Sequence, residues 1–187
     1  MSATRTSLRS CGPVPPYPHV NCARALPDTS WQGLDLDFTG VVFDGGDFRG
    51  PEFSDGRVKF NSARFSCGRV DFSSAQFCGG IVDFSSAQFS GGPVSFSATQ
   101  FSGSEVDFSS AMFSGGTVGF RFARFSGGLV DFGGVFGPEA DFAFARFSGG
   151  TVDFSEVHDW SVPPAFPWTS TAPVGVKLPQ NLDQPRA

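Results

Sequence analysis

A phenylalanine recurs through the middle of this chain at alternating steps of five and seven residues, so that a longer phrase repeats every twelve residues. From Val70 the phrase reads VDFSSAQFCGGI, VDFSSAQFSGGP, VSFSATQFSGSE, VDFSSAMFSGGT and VGFRFARFSGGL. A fixed short period is typical of one small structural unit stacked on copies of itself. The repeat therefore constrains the fold far more than it constrains the function.

Most of these phenylalanines follow a small apolar residue by two places, with a polar residue between them, as in Val82, Asp83 and Phe84. Residues two apart on an extended chain point to the same side, so the small residue and the ring point inward and the polar residue points to solvent. In one unit the small residue is displaced, because Ala98 stands three places before Phe101. The predicted core rings are Phe72, Phe77, Phe84, Phe89, Phe96, Phe101, Phe108, Phe113, Phe120, Phe125, Phe132, Phe142, Phe147 and Phe154.

Two extra residues, usually Gly-Gly, follow every second phenylalanine. Because glycine tolerates positive φ, we expect a small outward bulge at these corners. Further on the phrase changes to VDFGGVFGPEADF. Val135 and Ala140 keep a five-residue step there, which puts Gly137 at the expected ring position. One core ring is then lost, and Phe136 either turns outward or substitutes for it.

The five-residue unit resembles that of the pentapeptide-repeat family, in which a small residue precedes Asp or Asn, then Leu or Phe, then two variable residues. The segment LDLDFTGVVFDGGDFRGPEF carries this resemblance, which runs from about Leu34 to about Phe154. The Phe-rich version with Gly-Gly interruptions is similar to variants common in actinobacterial proteins. The resemblance implies an all-β fold, a right-handed quadrilateral β-helix, here with extended Pro-rich tails.

Simple geometry agrees with a coil of four faces. A coil made of one twelve-residue phrase is too narrow to hold large rings, whereas two phrases give four faces with one ring pointing in from each. About twenty-one faces then make about five coils, and at about 4.8 Å per coil the rod is about 25 Å long. The rings form four internal ladders, in which each aromatic pair adds about 0.5–1.5 kcal/mol beyond its buried area.

Composition divides the chain into three parts. Residues 1–30 form a loosely ordered tail that contains Pro and Arg, residues 31–157 form the solenoid, and residues 158–187 form a Pro- and Trp-rich cap and tail. The prolines exclude a long helix at the C-terminal end, so we expect this segment to lie extended across the last coil.

Both ends of a solenoid need covering, because a terminal coil exposes unpaired backbone and apolar surface. The candidate caps are Trp31, Trp160, Phe166 and Trp168. A PxxP ligand peptide, from Pro164 to Pro167, is the alternative reading of the C-terminal segment.

The surface of the repeats is acidic. Residues 34–160 contain 16 Asp and Glu against 8 Lys and Arg, a net charge of −8, within a chain of net charge −5. In a coil of two phrases Asp83, Asp107 and Asp131 stack on one face, and Asp153 joins them after a two-residue deletion. These four are the candidate interaction surface, a strip of charge that imitates nucleic-acid phosphates. The alternative is that each Asp solubilises the rod and bonds its own corner backbone.

We therefore expect a non-catalytic structural or protein-interaction module whose partner is unknown. The alternative is a DNA mimic, because the resemblance implies that some family members bind type II topoisomerases, notably DNA gyrase. The modest net charge and the outward Arg64, Arg124 and Arg146 argue against mimicry. So do the C-terminal prolines, since the family's mimics dimerise there through a helical segment. A homodimer stays open.

Other functions are not expected. No Ser/His/Asp set or P-loop stands in the sequence, so we predict no enzyme, no catalytic residue and no cofactor. We predict no metal site either, since Cys11, His19 and Cys22 fit no zinc spacing. An acidic repeat region argues against direct nucleic-acid binding.

The first 20 residues hold no apolar stretch long enough for a signal peptide or membrane span. We therefore expect a cytoplasmic protein with no membrane contact. Cys67 and Cys78 stand at corners where other repeats have Gly or Ser. We expect them to be free thiols, as in a reducing compartment.

Overall fold

The computed structural model describes residues 33–66, 68–114, 117–136, 140–157 and 159–180, with only the backbone described at 135 and 136. The whole N-terminal tail, residues 1–30, and the candidate cap Trp31 lie outside the described residues. The described strands are β1 (Leu36–Asp37), β2 (Val42–Phe43), β3 (Gly46–Asp47), β4 (Glu52–Phe53), β5 (Arg57–Lys59), β6 (Arg64–Phe65), β7 (Val70–Asp71), β8 (Gln76–Phe77), β9 (Ile81–Asp83), β10 (Gln88–Phe89), β11 (Val94–Ser95), β12 (Gln100–Asp107), β13 (Met112–Phe113), β14 (Val118–Gly119), β15 (Arg124–Asp131), β16 (Val135–Phe136), β17 (Ala140–Asp141), β18 (Arg146–Asp153) and β19 (Val176–Lys177).

The strands stack in parallel into four faces, as the sequence predicted. The first face runs β1-β5-β9-β12-β15-β18-β19, the second β2-β6-β10-β13-β16, and the third β3-β7-β11-β14-β17. The fourth runs β4-β8 and then through the first halves of β12, β15 and β18. These three long strands continue from the fourth face into the first, with register irregularities at the glycine-rich corner. The expected bulges therefore lie within continuous strands.

The solenoid has about six turns rather than the predicted five. Seven strands on the first face are separated by six steps, which span about 29 Å at about 4.8 Å per step. The difference arises because the C-terminal segment, which lies outside the repeats, also pairs its backbone with the last coil. Val176 pairs with Val152 on the first face, and Ala165 forms a bridge with Asp141 on the third.

The phenylalanine rings form one ladder on each face. In the first ladder the centroids of Phe60 and Phe84 lie 4.8 Å apart and those of Phe84 and Phe108 also 4.8 Å apart, with nearly parallel planes. Rings of the first and third ladders meet edge-on, as Phe84 and Phe96 do at 5.9 Å. Thirteen of the fourteen predicted core rings are at most 2 % exposed. The exception is Phe147 near the C-terminal end, which is partly buried and packs against the core.

Two details of the predicted inward pattern are wrong. Thr99, and not the displaced Ala98, takes the inward position before Phe101, because Thr99 is fully buried and its hydroxyl donates a hydrogen bond to the carbonyl of Phe72 at 2.9 Å. This bond is what allows a polar side chain in the core. Ala98 instead takes positive φ at the corner, with φ of 57°.

The second error concerns the break after Phe132. The register pairs Phe113 with Phe136, so Phe136 and not Gly137 takes the ring position along the backbone. Of the two alternatives that the sequence left open for Phe136, the register favours substitution for the lost ring. The physical reason is a tighter corner, in which the amide of Gly134 donates to the carbonyl of Phe132 at 2.6 Å. The corner is thus one residue shorter than the corresponding one in earlier coils. Gly137 itself lies outside the described residues.

A β-turn shapes the corner that follows most Val-Asp-Phe units. The amide of Ala87 donates to the carbonyl of Phe84 at 3.0 Å, and Ser86 between them has φ of 56°. Positive φ at the third residue is the geometry of a type II turn. The glycine-rich corners lie close against the backbone of the preceding coil. A Cβ on Gly128, which has φ of 76°, would lie 2.2 Å from the carbonyl oxygen of Ser104.

The C-terminal segment places its aromatic side chains on the last coil. Phe166 stacks on Phe142 at 5.4 Å, and Trp168 stacks on Phe166 at 4.4 Å. Trp160 packs edge-on against Phe154 at 6.0 Å. The segment therefore extends the third ladder by one ring and covers the end of the core.

The expectation of a free thiol at Cys78 is wrong, because Cys78 is disulfide-bonded. Cys11, Cys22 and Cys67 lie outside the described residues, so the expectation of a free thiol at Cys67 stays a prediction.

Candidate functional site

The four aspartates singled out in the sequence lie in one column on the first face. The register pairs Asp83 with Asp107, Asp107 with Asp131, and Asp131 with Asp153. With about 4.8 Å between paired strands, the column spans roughly 14 Å. We call these four residues the acidic strip.

Each aspartate of the acidic strip uses one carboxylate oxygen to close its own corner. The Oδ1 atom accepts a hydrogen bond from the backbone amide two residues later, and the donors are Ser85 at 2.9 Å, Ser109 at 2.6 Å, Gly133 at 2.8 Å and Ser155 at 2.9 Å. The alternative considered for these residues, that each Asp bonds its own corner backbone, therefore applies to the Oδ1 atoms. The Oδ2 atoms of Asp83, Asp107 and Asp131 make no hydrogen bond or ion pair within the described part of the chain.

The third face shows that the corner does not require an aspartate. At the matching position it has Asp47 and Asp71, but Ser95 and Gly119 continue the same column. The turn after Gly119 still closes, since the amide of Ala123 donates to the carbonyl of Phe120 at 3.1 Å. The uninterrupted aspartates of the acidic strip therefore exceed what corner geometry demands.

Lysines stand at both ends of the acidic strip. Lys59 precedes Asp83 in the register and lies 3.7 Å from Asp37, and Lys177 follows Asp153 and pairs with it at 2.8 Å. Lys59 lies 24 residues before Asp83, in step with the repeat, whereas Lys177 stands outside the repeats and only the backbone pairing of β19 reveals its position. The strip is a bounded acidic surface between two cations.

The carboxylates of the strip differ in their acidity. Burial raises the pKa of Asp131, and the negative charges of Asp107, Asp153 and Glu156 raise it further. Burial also acts to raise the pKa of Asp153, but hydrogen bonds from Lys177 and from Ser155 outweigh it and lower that pKa. The protein therefore stabilises negative charge less at Asp131 than at Asp153.

Charges on the third face are compensated, in contrast to those of the strip. Its ion pairs are Asp47 with Arg49 at 2.6 Å, Asp71 with Arg69 at 2.8 Å, and Asp141 with Arg121 at 3.1 Å. The arginines that argued against mimicry lie on other faces, Arg64 on the second and Arg124 beside Arg146 on the fourth. The first face is thus the most acidic part of the described surface.

Two phenylalanines that the list of predicted core rings leaves out lie on the surface, and sequence reasoning gave them no role. Phe122 and Phe144 are 55 % and 60 % exposed. The signal was present in the sequence, because each stands only two places after a core ring, at a corner position that other repeats fill with Gly, Ser or Ala.

In the residues that the structure describes, no group of three or more His, Cys, Asp or Glu side chains is arranged to hold a metal ion. The same residues include no helix with the length and apolar character needed to cross a bilayer.

Comparison with known proteins gives little beyond this geometry. No family model and no curated protein matches the chain. Among solved structures, the chain is similar to a trypsin-treated variant of QnrB1, a plasmid-mediated fluoroquinolone resistance protein, with 18 % identity, 80 % of this chain and 87 % of that chain covered, and a TM-score of 0.26. A second trypsin-treated QnrB1 variant aligns at 18 % identity, with 79 % and 88 % covered and a TM-score of 0.20. At these values the similarity carries no functional conclusion.

Proposed function

We propose that this protein is a non-catalytic rod that binds a protein partner through the acidic strip, and that it belongs to the pentapeptide-repeat family. One observation carries the proposal. The Oδ2 atoms of Asp83, Asp107 and Asp131 form a row with no ion pair among the described residues, although the same corner forms elsewhere with Ser95 or Gly119. Like charges in adjacent positions repel, so they are unfavourable unless a partner uses them.

The chemistry of the strip favours a basic surface on the partner. Lys59 and Lys177 limit the contact to about four carboxylates, which suits a short row of Lys or Arg side chains. The solenoid holds these groups at fixed spacing, since each one is anchored through Oδ1. A rigid array loses little conformational entropy on binding. The proposal includes a cytoplasmic location, where such partners are accessible.

Affinity capture tests this function. Wild-type protein, a variant with Asp83, Asp107 and Asp131 changed to Asn, and a control with Asp47, Asp71 and Asp141 changed to Asn serve as immobilised baits. Asn keeps an Oδ1 acceptor for the corner, and both variants lose three negative charges. Proteins retained by wild type and by the control but not by the strip variant support the proposal. Equal retention by all three baits contradicts it.

The second candidate is a DNA mimic that modulates gyrase or another type II topoisomerase. The observation in its favour is the even, straight row of carboxylates. Along the helix axis a DNA strand carries a phosphate about every 3.4 Å, whereas along the solenoid axis the strip carries a carboxylate about every 4.8 Å. Because the two spacings differ, the strip can imitate the positions of only a few successive phosphates.

A gyrase supercoiling assay at low and high salt separates the two candidates. Inhibition or drug protection that weakens with salt and disappears in the Asp83/Asp107/Asp131→Asn variant supports mimicry. No effect at micromolar protein removes gyrase and leaves the wider proposal to the capture experiment.

A further inference from the structure

The corner between the third and fourth faces carries an exposed aromatic pair on two consecutive coils. Phe122 and Phe144 stack with centroids 5.0 Å apart and planes 8° apart. Both rings are more than half exposed, and neither contacts another aromatic ring within the described residues. The preceding coils have small residues at this corner, Gly50, Ser74 and Ala98. The ring face of Phe122 that looks toward Ala98 is therefore left uncovered by any aromatic neighbour among these residues.

The backbone at these two phenylalanines is unfavourable for a bulky side chain. Phe122 has φ of 58° and Phe144 has φ of 60°. Positive φ is uncommon outside glycine and is an outlier for large residues. Ser74 and Ala98 adopt the same φ at the same corner with less steric conflict. Phe at this position gains no core burial and strains the backbone, so folding alone does not explain it.

Two arginines accompany the rings in the same register. The phrase Phe-Ala-Arg occurs in both coils, and Arg124 pairs in register with Arg146 on the fourth face. Both side chains are exposed, and neither forms an ion pair with any residue the structure describes. In the two preceding coils Gln76 and Gln100 take this position. The positive charges are thus confined to the part of the fourth face beside the exposed rings.

Arg121 contacts both rings, but its charge is neutralised by an ion pair with Asp141. Its guanidinium carbon lies 5.9 Å from the ring centroid of Phe122 and 5.5 Å from that of Phe144, and it pairs with Asp141 at 3.1 Å. Cation–π contact of this kind helps to hold both rings at the corner. Arg124 and Arg146 remain as the uncompensated cations.

We propose that Phe122, Phe144, Arg124 and Arg146 bind an acidic segment of a partner protein that carries an aromatic side chain. The guanidinium groups of Arg124 and Arg146 can form bidentate hydrogen bonds with carboxylates. An aromatic side chain of the partner stacks on the uncovered ring face of Phe122. Aromatic and Arg side chains are also the residues that dominate binding energy at interfaces. This surface is separate from the acidic strip and does not depend on its function.

The negative charge of the surrounding surface favours a short peptide over a single-stranded nucleic acid as the ligand of this site. Single strands also stack on aromatic side chains beside cations. They need a positive groove along the backbone, however, and residues 34–160 carry a net charge of −8 with the strip on an adjacent face. A short acidic segment engages the two arginines without extending over that field.

The test uses the full-length protein and a short fluorescein-labelled peptide of glutamates around one tryptophan. Reference probes replace the tryptophan by alanine, replace the glutamates by lysine, or consist of single-stranded oligothymidylate. One variant changes Phe122 and Phe144 to Ser, and a second changes Arg124 and Arg146 to Gln. These are residues that the chain itself has at equivalent positions of earlier coils, so the fold tolerates them. Arg64→Gln is the charge control, because Gln88 follows Arg64 in the second-face register.

Fluorescence anisotropy at low salt measures binding. The expected result is that wild type binds the Glu/Trp peptide and that each double variant weakens binding by about tenfold or more, as for loss of an interface anchor. Arg64→Gln changes binding by less than about twofold, since an exposed charge elsewhere contributes little. No binding by wild type, or equal binding by the double variants, overturns the proposal. Tighter binding of oligothymidylate that the same variants abolish overturns it in favour of a nucleic-acid site. The strip variants are not involved, so this outcome is independent of the capture experiment.

Discussion

Truncation of one ring in the middle of a ladder tests how the solenoid is stabilised. Phe96 is fully buried and stacks on Phe72 at 5.0 Å and on Phe120 at 4.9 Å. It also meets Phe84 and Phe108 edge-on at 5.9 Å and 5.5 Å. Replacement of a buried Phe by Ala costs about 3–5 kcal/mol. Because four aromatic contacts are lost together, we expect Phe96→Ala to cost about 5 kcal/mol.

Urea unfolding followed by far-ultraviolet circular dichroism measures this cost, and Phe144→Ala is the matched control. Phe144 is 60 % exposed and has positive φ, so its truncation removes one exposed stack and relieves backbone strain. We expect a change of less than about 1 kcal/mol in either direction for the control. A cost below about 2 kcal/mol for Phe96→Ala, or equal costs for the two variants, would refute the claim that the inner ladders carry the stability.

Four further substitutions test individual contacts. Gly128→Ala brings a Cβ within 2.2 Å of the Ser104 carbonyl oxygen at positive φ, so thermal unfolding should show a loss of more than about 2 kcal/mol; a neutral result contradicts the corner geometry. Thr99→Ala removes one hydroxyl bond to the Phe72 carbonyl, which still accepts from Ala75, so the cost in urea should be about 1 kcal/mol and not the value for an orphaned acceptor. Asp131→Asn should stabilise the protein near neutral pH, because the raised pKa of Asp131 means that its charged form destabilises the fold, and this gain should vanish as acid protonates Asp131. Asp153→Asn should destabilise it by about 0.2–1 kcal/mol near neutral pH, because the lowered pKa means stability that is lost only as pH falls through the folded pKa. Opposite signs in pH-resolved melting support the account, and equal signs contradict it.

The repeat pattern predicted most of the fold, because each unit specifies its own inward and outward residues. Asp83, Asp107 and Asp131 could be aligned from sequence alone, since the 24-residue spacing is constant there. The break after Phe132 was misread because two corners each lose one residue, and a count of fives cannot show which turn tightens. Thr99 was overlooked because a polar residue is not expected to point inward. Its hydroxyl can be buried because it donates a hydrogen bond to a carbonyl one coil away.

The surface was harder to predict than the core. Lys177 lies at the end of the acidic strip because β19 pairs with β18. The repeat pattern does not predict that pairing. Phe122 and Phe144 look like core rings by composition, and it is the positive φ of the corner that turns them outward. The peptide site proposed at Phe122 and Phe144 consists of such departures from the repeat, so periodicity alone does not locate it.

A salt gradient applied to immobilised protein tests the central claim most directly. Wild type, the Asp83/Asp107/Asp131→Asn variant and the Asp47/Asp71/Asp141→Asn control are loaded with the same cell extract and eluted with increasing salt. If the strip binds a basic partner, that partner elutes from wild type and from the control at the same elevated salt, and it elutes from the strip variant at low salt. Elution from the strip variant at the same salt as from wild type would contradict the claim that the acidic strip is the interaction surface.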